Sequence, residues 1–259
     1  MSESSKPNPT AAIIVIGDEI LSGRTKDKNI GWLAEQLNGM GIMLGEARVI
    51  PDIRQVIIDN VRELSDRYDL VFTSGGIGPT HDDITTEAVA AAFGKAVIRH
   101  PDAEAVLRKH YANTDLEFNA ARQKMADIPE DATLIDNPLS AAPGFIIGNV
   151  HVLPGVPSIL QAMFEGLQPR LPGGVAMTRI TVQCATGEGT IATILGDVQA
   201  RHDGISVGSY PWFKPGQFGT AVVVSGLDEA VANKAADEIV SAVNEMGADA
   251  FIVAPGDTA

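Results

Sequence analysis

The chain has 259 residues, 45% of them hydrophobic, which is enough to bury a core in one large domain or in two unequal domains. Its net charge of −14 argues against a nucleic-acid groove, because such a groove needs a basic stripe that neutralises phosphates. The single cysteine, Cys184, excludes an internal disulfide, and its apolar neighbours predict a buried, inert thiol. The sequence lacks a signal peptide and any run of about 18 apolar residues, so we expect a cytoplasmic protein that binds no membrane.

Apolar strand patterns and helical patterns alternate through the first part of the chain. Residues 11–16 form a continuous apolar run, and residues 43–50 and 70–73 give two further strands. Asp27 is predicted to cap the helix that follows the first strand, and Asp52 the helix that follows the second. Because strand and helix alternate, we predict a largely parallel sheet.

Helices and a hairpin are predicted further along the same domain. Helical periodicity is present over residues 87–93, over residues 103–125 with an interruption at 113–114, and over residues 158–167. Two short apolar segments, residues 145–147 and 150–153, are separated by Gly148-Asn149. This spacing predicts a β-hairpin.

A cluster of prolines and glycines over residues 169–174 marks a domain boundary. We predict a first domain over residues 11–172 and a second over residues 173–259, with a disordered N-terminus over residues 1–10. The second domain has predicted strands at residues 180–184, 205–208 and 220–224, and predicted helices at residues 190–200 and 228–246. This β-α-β-β-α order is that of a small open α+β sandwich.

The most informative segment is residues 73–85, TSGGIGPTHDDIT, which leads from an apolar strand through glycines to Asp82 and Asp83. Glycines let the backbone approach a ligand with its N–H groups exposed, which suits a phosphate, and carboxylates beside it suit a cation. The segment matches neither GxxxxGKS/T nor GxGxxG. Taken alone, it is equally compatible with a Gly-Gly turn and an aspartate that only caps a helix.

Four polar clusters directly follow predicted strands, namely Gly17-Asp18-Glu19, Asp52, residues 75–83 and residues 153–157. In an open parallel sheet the ligand crevice lies beyond the carboxyl ends of the strands, so we expect these clusters to converge there. Convergence of four strand ends is much harder to explain by helix capping than any single cluster.

Two other candidates are weaker. Residues 204–208 fit the GxSxG pattern, but a helix precedes the serine and prolines follow it, so we interpret the match as chance. His81, within the glycine segment, is a candidate site residue or a surface histidine. The other histidines lack the spacing of zinc ligands.

Together these motifs resemble those of a known family. The segments at residues 17–23 (GDEILSG), 51–52 (PD), 75–80 (GGIGPT) and 153–157 (LPGVP) are similar to the molybdopterin-binding fold shared by MogA, MoaB, MoeA and CinA proteins. The resemblance covers residues 11 to 168. It is nearest to the N-terminal part of CinA and, closer still, to the molybdopterin-binding-like domain of eukaryotic FAD synthase, whose pattern extends to VGSYP at residues 207–211. It implies an α/β fold with a three-layer, mostly parallel sheet and helices on both faces, followed by a small α+β domain.

The resemblance also implies roles for individual residues. It places around the ligand Asp18, Glu19, Asp27, Asn29, Ser74, Gly75, Gly76, Gly78, Thr80, Pro154 and Gly155. Asp52 and Asp83 are the implied catalytic acids. With Asp82 they are the expected ligands of a divalent metal such as Mg²⁺, Mn²⁺ or Co²⁺, and K⁺ is a further expected cofactor.

The resemblance leaves several functions open. The most similar members are pyrophosphohydrolases that act on ADP-ribose or FAD, whereas MogA-type members adenylate molybdopterin. MogA-like proteins usually have Thr-Gly after the double glycine and Arg before the motif aspartate, where this chain has Ile77-Gly78 and Asp82. This difference favours metal-assisted hydrolysis. A molybdenum-cofactor protein that binds or adenylates molybdopterin, and a non-catalytic nucleotide- or pterin-binding module, are the alternatives. We also expect a dimer or trimer of this chain.

Overall fold

The computed structural model describes residues 7–254, which form two compact units divided between Gly174 and Val175. The predicted boundary lies two residues earlier, between residues 172 and 173. The predicted disordered N-terminus covers residues 1–10, of which residues 1–6 lie outside the described part of the chain. Thr10 is already the first residue of a strand.

The first unit contains eight strands and seven helices within the described residues, followed by a 3-10 turn at Gln168–Arg170. The strands are β1 (Thr10–Ile16), β2 (Met43–Ile50), β3 (Leu70–Ser74), β4 (Val97–Arg99), β5 (Asp127–Pro129), β6 (Thr133–Ile135), β7 (Gly144–Ile147) and β8 (Val150–Leu153). The helices are α1 (Asp18–Leu21), α2 (Asn29–Gly39), α3 (Arg54–Arg67), α4 (Thr85–Ala92), α5 (Pro101–Tyr111), α6 (Ala120–Lys124) and α7 (Pro157–Leu167).

Six of these strands form one sheet in the order β2-β1-β3-β8-β7-β6. Strands β2, β1, β3 and β8 are parallel neighbours, and β7 is antiparallel to both β8 and β6. The mostly parallel sheet and the hairpin of β7 and β8 are therefore confirmed. The parallel arrangement places the carboxyl ends of four strands at one edge, which is where a ligand crevice forms in such sheets.

Helices cover both faces of this sheet. Alternate residues of β1 point to opposite faces: Ile14 packs with α3, α4 and α5, whereas Ile13 packs with α2 and α7. Both side chains are fully buried, and so are their neighbours in the strand. A strand with apolar contacts on both faces needs a continuous apolar sequence, which explains the run at residues 11–16 and confirms the three-layer architecture.

The helix starts differ in part from prediction. Asp27 accepts hydrogen bonds from the N–H groups of Asn29 (3.3 Å) and Ile30 (3.0 Å), so it caps α2 as predicted. The prediction that Asp52 caps α3 is wrong, because its carboxylate accepts a hydrogen bond from the N–H of Asp18, the first residue of α1 after β1. The helix predicted over residues 87–93 spans Thr85–Ala92.

Several short elements differ from the sequence-based expectation. The segment predicted as one interrupted helix, residues 103–125, forms the two helices α5 and α6 with a mostly exposed connection. Strands β4, β5 and β6 were not predicted. Each has only three residues, which is too short for the alternation or the apolar run that marks a strand. Strand β4 is also exposed along its whole length.

The second unit is an α+β sandwich. Its elements are β9 (Thr178–Cys184), α8 (Glu188–Arg201), β10 (Ile205–Lys214), β11 (Gln217–Gly226), α9 (Glu229–Glu245) and β12 (Ala250–Ile252). The strands form an antiparallel sheet in the order β10-β11-β9-β12, and both helices pack on one face of it. Strand β12 adds to the predicted β-α-β-β-α order. Strands β10 and β11 run longer than predicted, because Pro211 lies on an edge strand that tolerates it.

Two sequence-based interpretations concern this unit. Cys184 is fully buried in its core, and burial raises the pKa of the thiol to about 11, which makes it inert as predicted. Ser206 lies inside β10 instead of at a strand-to-helix turn, so residues 204–208 are not a nucleophile elbow. Across both units, no helix within residues 7–254 combines the length and apolar character needed to cross a bilayer.

Candidate functional site

Backbone hydrogen bonds link the four parallel strand ends in two pairs at the carboxyl edge of the sheet. Where β1 and β2 end, the N–H of Gly17 donates to the carbonyl of Ile50 at 3.1 Å. Where β3 and β8 end, the N–H of Gly75 donates to the carbonyl of Leu153 at 3.1 Å. The predicted convergence of the polar clusters thus has a backbone basis.

The joined strand ends surround an open cleft of about 530 Å³. Its lining residues are Ile16, Gly17, Glu19, Arg24, Thr25, Asp52, Gly75, Gly76, Gly78, Asp82, Asp83, Pro154, Gly155, Val156 and Pro157. All four predicted clusters contribute to this list. Both implied catalytic acids and the glycines therefore lie around one cavity.

Close packing explains why glycines occupy the floor of the cleft. A Cβ atom on Gly75 would lie 2.2 Å from the carbonyl oxygen of Ile16, and one on Gly155 would lie 3.4 Å from the Cα of Gly75. Gly75 and Gly76 also have φ angles of +113° and +70°, which L side chains rarely adopt. These constraints bring backbone from three strand ends together, as an anion site built from N–H groups requires.

Asp52 is half-buried beside the cleft. Its Oδ2 accepts a hydrogen bond from the N–H of Asp18 at 2.9 Å. Burial raises the pKa of Asp52, and the nearby carboxylates of Asp18, Glu19 and Asp82 raise it further, while the hydrogen bond from Asp18 opposes them. A carboxylate with a raised pKa is a better proton acceptor, which suits a general base.

Asp83 is held by a local turn. Its Oδ2 accepts hydrogen bonds from the N–H of Thr80 (2.8 Å) and from the Thr80 hydroxyl (2.5 Å). Gly78 packs against the same carboxylate, since a Cβ there would lie 2.6 Å from Asp83 Oδ2. Thr80 is exposed and is not among the cleft-lining residues. It is connected to the cleft through its hydrogen bonds to Asp83.

A side pocket of about 60 Å³ adjoins the cleft, and the two linings share Ile16, Glu19, Thr25, Gly155 and Pro157. Asp27, Asn29 and Ser74 line this side pocket instead of the cleft. The side chain of Asn29 is buried, and its Nδ2 donates to Ser74 Oγ (2.8 Å) and to the carbonyl of Gly155 (2.9 Å).

Asp18 is the remaining predicted ligand residue. Its side chain is exposed and is not among those lining the cleft or the side pocket. Its N–H group, which holds Asp52, is the part that reaches the site. His81 is likewise exposed and is not among the cleft-lining residues.

The acids do not form a ready-made metal cage. Among residues 7–254, no group of three or more His, Cys, Asp or Glu side chains is placed to hold a metal ion by itself. Asp52, Asp82 and Asp83 nevertheless line the same cleft. Mg²⁺ is commonly held by one or two carboxylates together with water and substrate phosphate oxygens, and these acids fit that arrangement.

Sequence reasoning missed some of the lining residues. Arg24 is the basic side chain on the cleft lining, and Thr25 follows it. Val156 and Pro157, which line the cleft after Gly155, belong to the predicted cluster at residues 153–157 and were not missed. Arg24 lies in the loop between α1 and α2, where a single arginine has no sequence signal, and only the fold places it on the cleft.

A three-layer α/β domain with glycines and acids around a cleft at its strand ends is typical of a small-molecule-binding domain. Residues 12–173 match the family model described as probable molybdopterin binding domain, and residues 176–250 match the one described as FAD synthase, middle domain. The chain belongs to the molybdopterin-binding (MoaB/Mog) domain family, of CinA-like type.

Relatives match over most of the chain. It is 34% identical to a protein of Aeropyrum pernix over 93% of its own length and 96% of that protein. It is 31% identical to a CinA-like protein of Salinibacter ruber, with 95% of this chain spanning 62% of that protein. Among solved structures, CinA of Thermoplasma acidophilum, described as a protein of unknown function, is 34% identical, with a TM-score of 0.59. The match covers 64% of this chain and 99% of that one.

The cramped position of Gly76 gives a stability prediction. A Cβ there would lie 2.1 Å from Thr85 Oγ1, which is buried, whereas Gly94 has a similar φ of +65° but no atom within 4 Å of the added Cβ. We expect Gly76→Ala to destabilise the protein by about 1 to 3 kcal/mol more than Gly94→Ala. Both substitutions place an L side chain at a positive φ, but only the one at residue 76 also introduces a steric clash. Chemical denaturation of the two variants measures the difference. Equal losses would show that the added Cβ atom at residue 76 is accommodated.

The raised pKa of Asp52 predicts a pH-dependent change in stability. Above that pKa the parent keeps an ionised carboxylate among other acids in a partly buried site, and below it the carboxyl is neutral. We therefore expect Asp52→Asn to raise the unfolding midpoint at neutral pH, with a gain that shrinks as the pH falls towards the pKa of Asp52. Thermal unfolding at several pH values tests this, with Asp115→Asn in the exposed α5–α6 connection as control. A gain that grows at low pH would contradict the sign.

Proposed function

We propose that this protein hydrolyses the pyrophosphate bond of a nucleotide such as ADP-ribose or FAD, with the help of a divalent metal ion. The observation that carries the proposal is that Gly75, Gly76 and Gly78 line the same cleft as Asp52 and Asp83. Its volume of about 530 Å³ lies in the range of small-molecule sites. Backbone N–H groups suit the diphosphate oxygens, and the acids suit its counter-ion and the attacking water.

The charges around the cleft support a metal requirement. Four acids line it, Glu19, Asp52, Asp82 and Asp83, against the one arginine, Arg24. A diphosphate alone would be repelled by this set of like charges. Asp82 and Asp83, with Asp52, would hold a divalent cation jointly with phosphate oxygens. When bound, the cation supplies charge neutralisation and orientation of the phosphate.

The chain's own residues supply the remaining chemistry. Asp52 would take a proton from a water molecule as the water oxygen attacks one phosphorus atom. The bridging P–O bond then breaks, and the second phosphate leaves with the electron pair, so that AMP and a second phosphate product form. The N–H groups of Gly76 and Gly78 would stabilise the charge that develops on the phosphate oxygens, whereas the N–H of Gly75 is bonded to the carbonyl of Leu153. The local turn with Thr80 keeps Asp83 oriented before the ligand arrives.

The loss of Asp83 tests the proposal. The parent is expected to release AMP from ADP-ribose or FAD in the presence of Mg²⁺, Mn²⁺ or Co²⁺, and to lose this activity with a chelator. Asp83→Asn keeps an oxygen for Thr80 but removes the charge, so we expect kcat/KM to fall by on the order of 10² to 10⁴. Asp115→Asn serves as the matched control. Parental rates from correctly folded Asp83→Asn would remove Asp83 from the mechanism.

Arg24 provides a separate test of phosphate recognition. A guanidinium near the diphosphate contributes charge-assisted hydrogen bonds, so Arg24→Gln is expected to raise KM by about tenfold or more with a smaller effect on kcat. Arg179→Gln, at an exposed arginine of the second unit, is the control. Steady-state kinetics with ADP-ribose separate the two constants. An unchanged KM would place the phosphates away from Arg24.

A second candidate function follows from the family description. The model that matches residues 12–173 is that of a probable molybdopterin binding domain, so a pterin is a candidate ligand. Adenylyl transfer and hydrolysis both use a nucleotide pyrophosphate, but they differ in the group that attacks phosphorus. Incubation with ATP and molybdopterin distinguishes them, because adenylation gives a pterin–AMP adduct and hydrolysis gives free AMP. Binding of either ligand without any product would indicate a non-catalytic module.

A further inference from the structure

The segment that carries the acids, residues 79–84, is called here the acid loop. It lies between the glycines after β3 and the start of α4, and it has no regular secondary structure. Thr80 and Asp83 are joined by hydrogen bonds within the loop, and the N–H of Thr85 donates to the carbonyl of Gly76 just beyond it. An exposed turn of this kind needs an outside anchor to hold a carboxylate in one place.

Lys124, at the end of α6, provides such an anchor. Its Nζ donates hydrogen bonds to the carbonyl of Asp83 at 2.6 Å and to the carbonyl of Thr80 at 3.3 Å. The same ammonium lies 3.6 Å from the carboxylate of Glu87 in α4. One side chain, 41 residues further along the sequence than Asp83, thus bridges both ends of the Thr80–Asp83 turn and the helix that follows it.

These contacts determine what Lys124 can do. An ammonium group has three N–H donors, and three oxygen atoms surround this one. Lys124 lines a small cavity behind the acid loop with Gly78, Glu87 and Asp127, and it is not among the residues lining the cleft. Its geometry is that of a residue that holds the loop and not of one that contacts a ligand phosphate.

We propose that Lys124 is a positioning residue, which fixes the acid loop so that the Asp83 carboxylate stays packed on Gly78 and directed to the cleft. The effect on turnover rests on the proposed function. The effect on the loop does not, because it follows from hydrogen bonds within the protein. Removing the ammonium should therefore loosen residues 79–84 and lower kcat, with little change in KM, because Asp83 is displaced while the glycine N–H groups remain.

The protein allows a restoration experiment at this position. Lys124→Cys introduces a thiol that 2-bromoethylamine converts to a lysine analogue with the ammonium regained. The native Cys184 is fully buried, and burial raises its pKa to about 11, so it does not compete under native conditions. Lys95→Cys, treated identically, is the matched control, because Lys95 forms an ion pair with Asp131 at 2.6 Å. Lys124→Arg, which retains a cation, is the second variant if the cysteine variant is unfolded by circular dichroism.

Two readouts decide the proposal. Hydrogen–deuterium exchange should rise across residues 79–84 in Lys124→Cys, and kcat for AMP release should fall by on the order of 10², with KM within about threefold. Aminoethylation should restore both, while Lys95→Cys should leave both unchanged. Parental exchange in folded Lys124→Cys overturns the proposal, and so does a loss that aminoethylation fails to reverse. If the parent itself releases no AMP, the proposed function fails, and the exchange measurement alone still decides the role of Lys124.

Discussion

The close approach of Gly75 to Ile16 and Gly155 is the contact on which the site depends. The Gly75 backbone lies against the end of β1 at a distance that leaves no room for a Cβ atom on Gly75, and it is in van der Waals contact with Gly155 after β8. Parallel strands deliver these segments to the same edge, and glycine allows them to meet. A larger residue at position 75 would separate the strand ends that line the cleft. The cleft is thus a consequence of sheet topology and not of a local loop motif.

The carboxylates around the cleft repel one another, and this repulsion does not stabilise the fold. Asp52 is half-buried near Asp18, Glu19 and Asp82, and each of these carboxylates raises its pKa. The N–H of Asp18 offsets part of this cost. Side chains that are unfavourable for folding yet held by specific hydrogen bonds are typical of functional sites. A cation and a diphosphate bound together would relieve this repulsion, which links the electrostatics of the site to the chemistry proposed for it.

The sequence predicts what depends on local patterns, and it fails where distant contacts decide. Residues 11–16 were recognisable as a doubly covered strand because burial on both faces requires a continuous apolar run. Asp52 was assigned to a helix cap because an aspartate before a helix usually has that role, whereas here the amide of a neighbouring strand end competes for it. The positions of Arg24 on the cleft and of Lys124 beside residues 80–83 could not be predicted from sequence spacing, because the tertiary fold creates both. The three-residue strand β4 is too short and too exposed to carry a pattern.

The open form of the cleft bears on the choice between hydrolysis and adenylyl transfer. Transfer to a pterin requires that water be kept from the activated phosphate, because water is present at far higher concentration than any acceptor. In the first unit, Val156 on the rim is 52% exposed, and Arg24 and Asp82 are also exposed. The rim residues Arg24 and Asp82 are open to water, and Asp52, a carboxylate with a raised pKa, lines the same cleft. For the proposed reaction to be diverted from hydrolysis, a bound pterin would have to cover this rim itself.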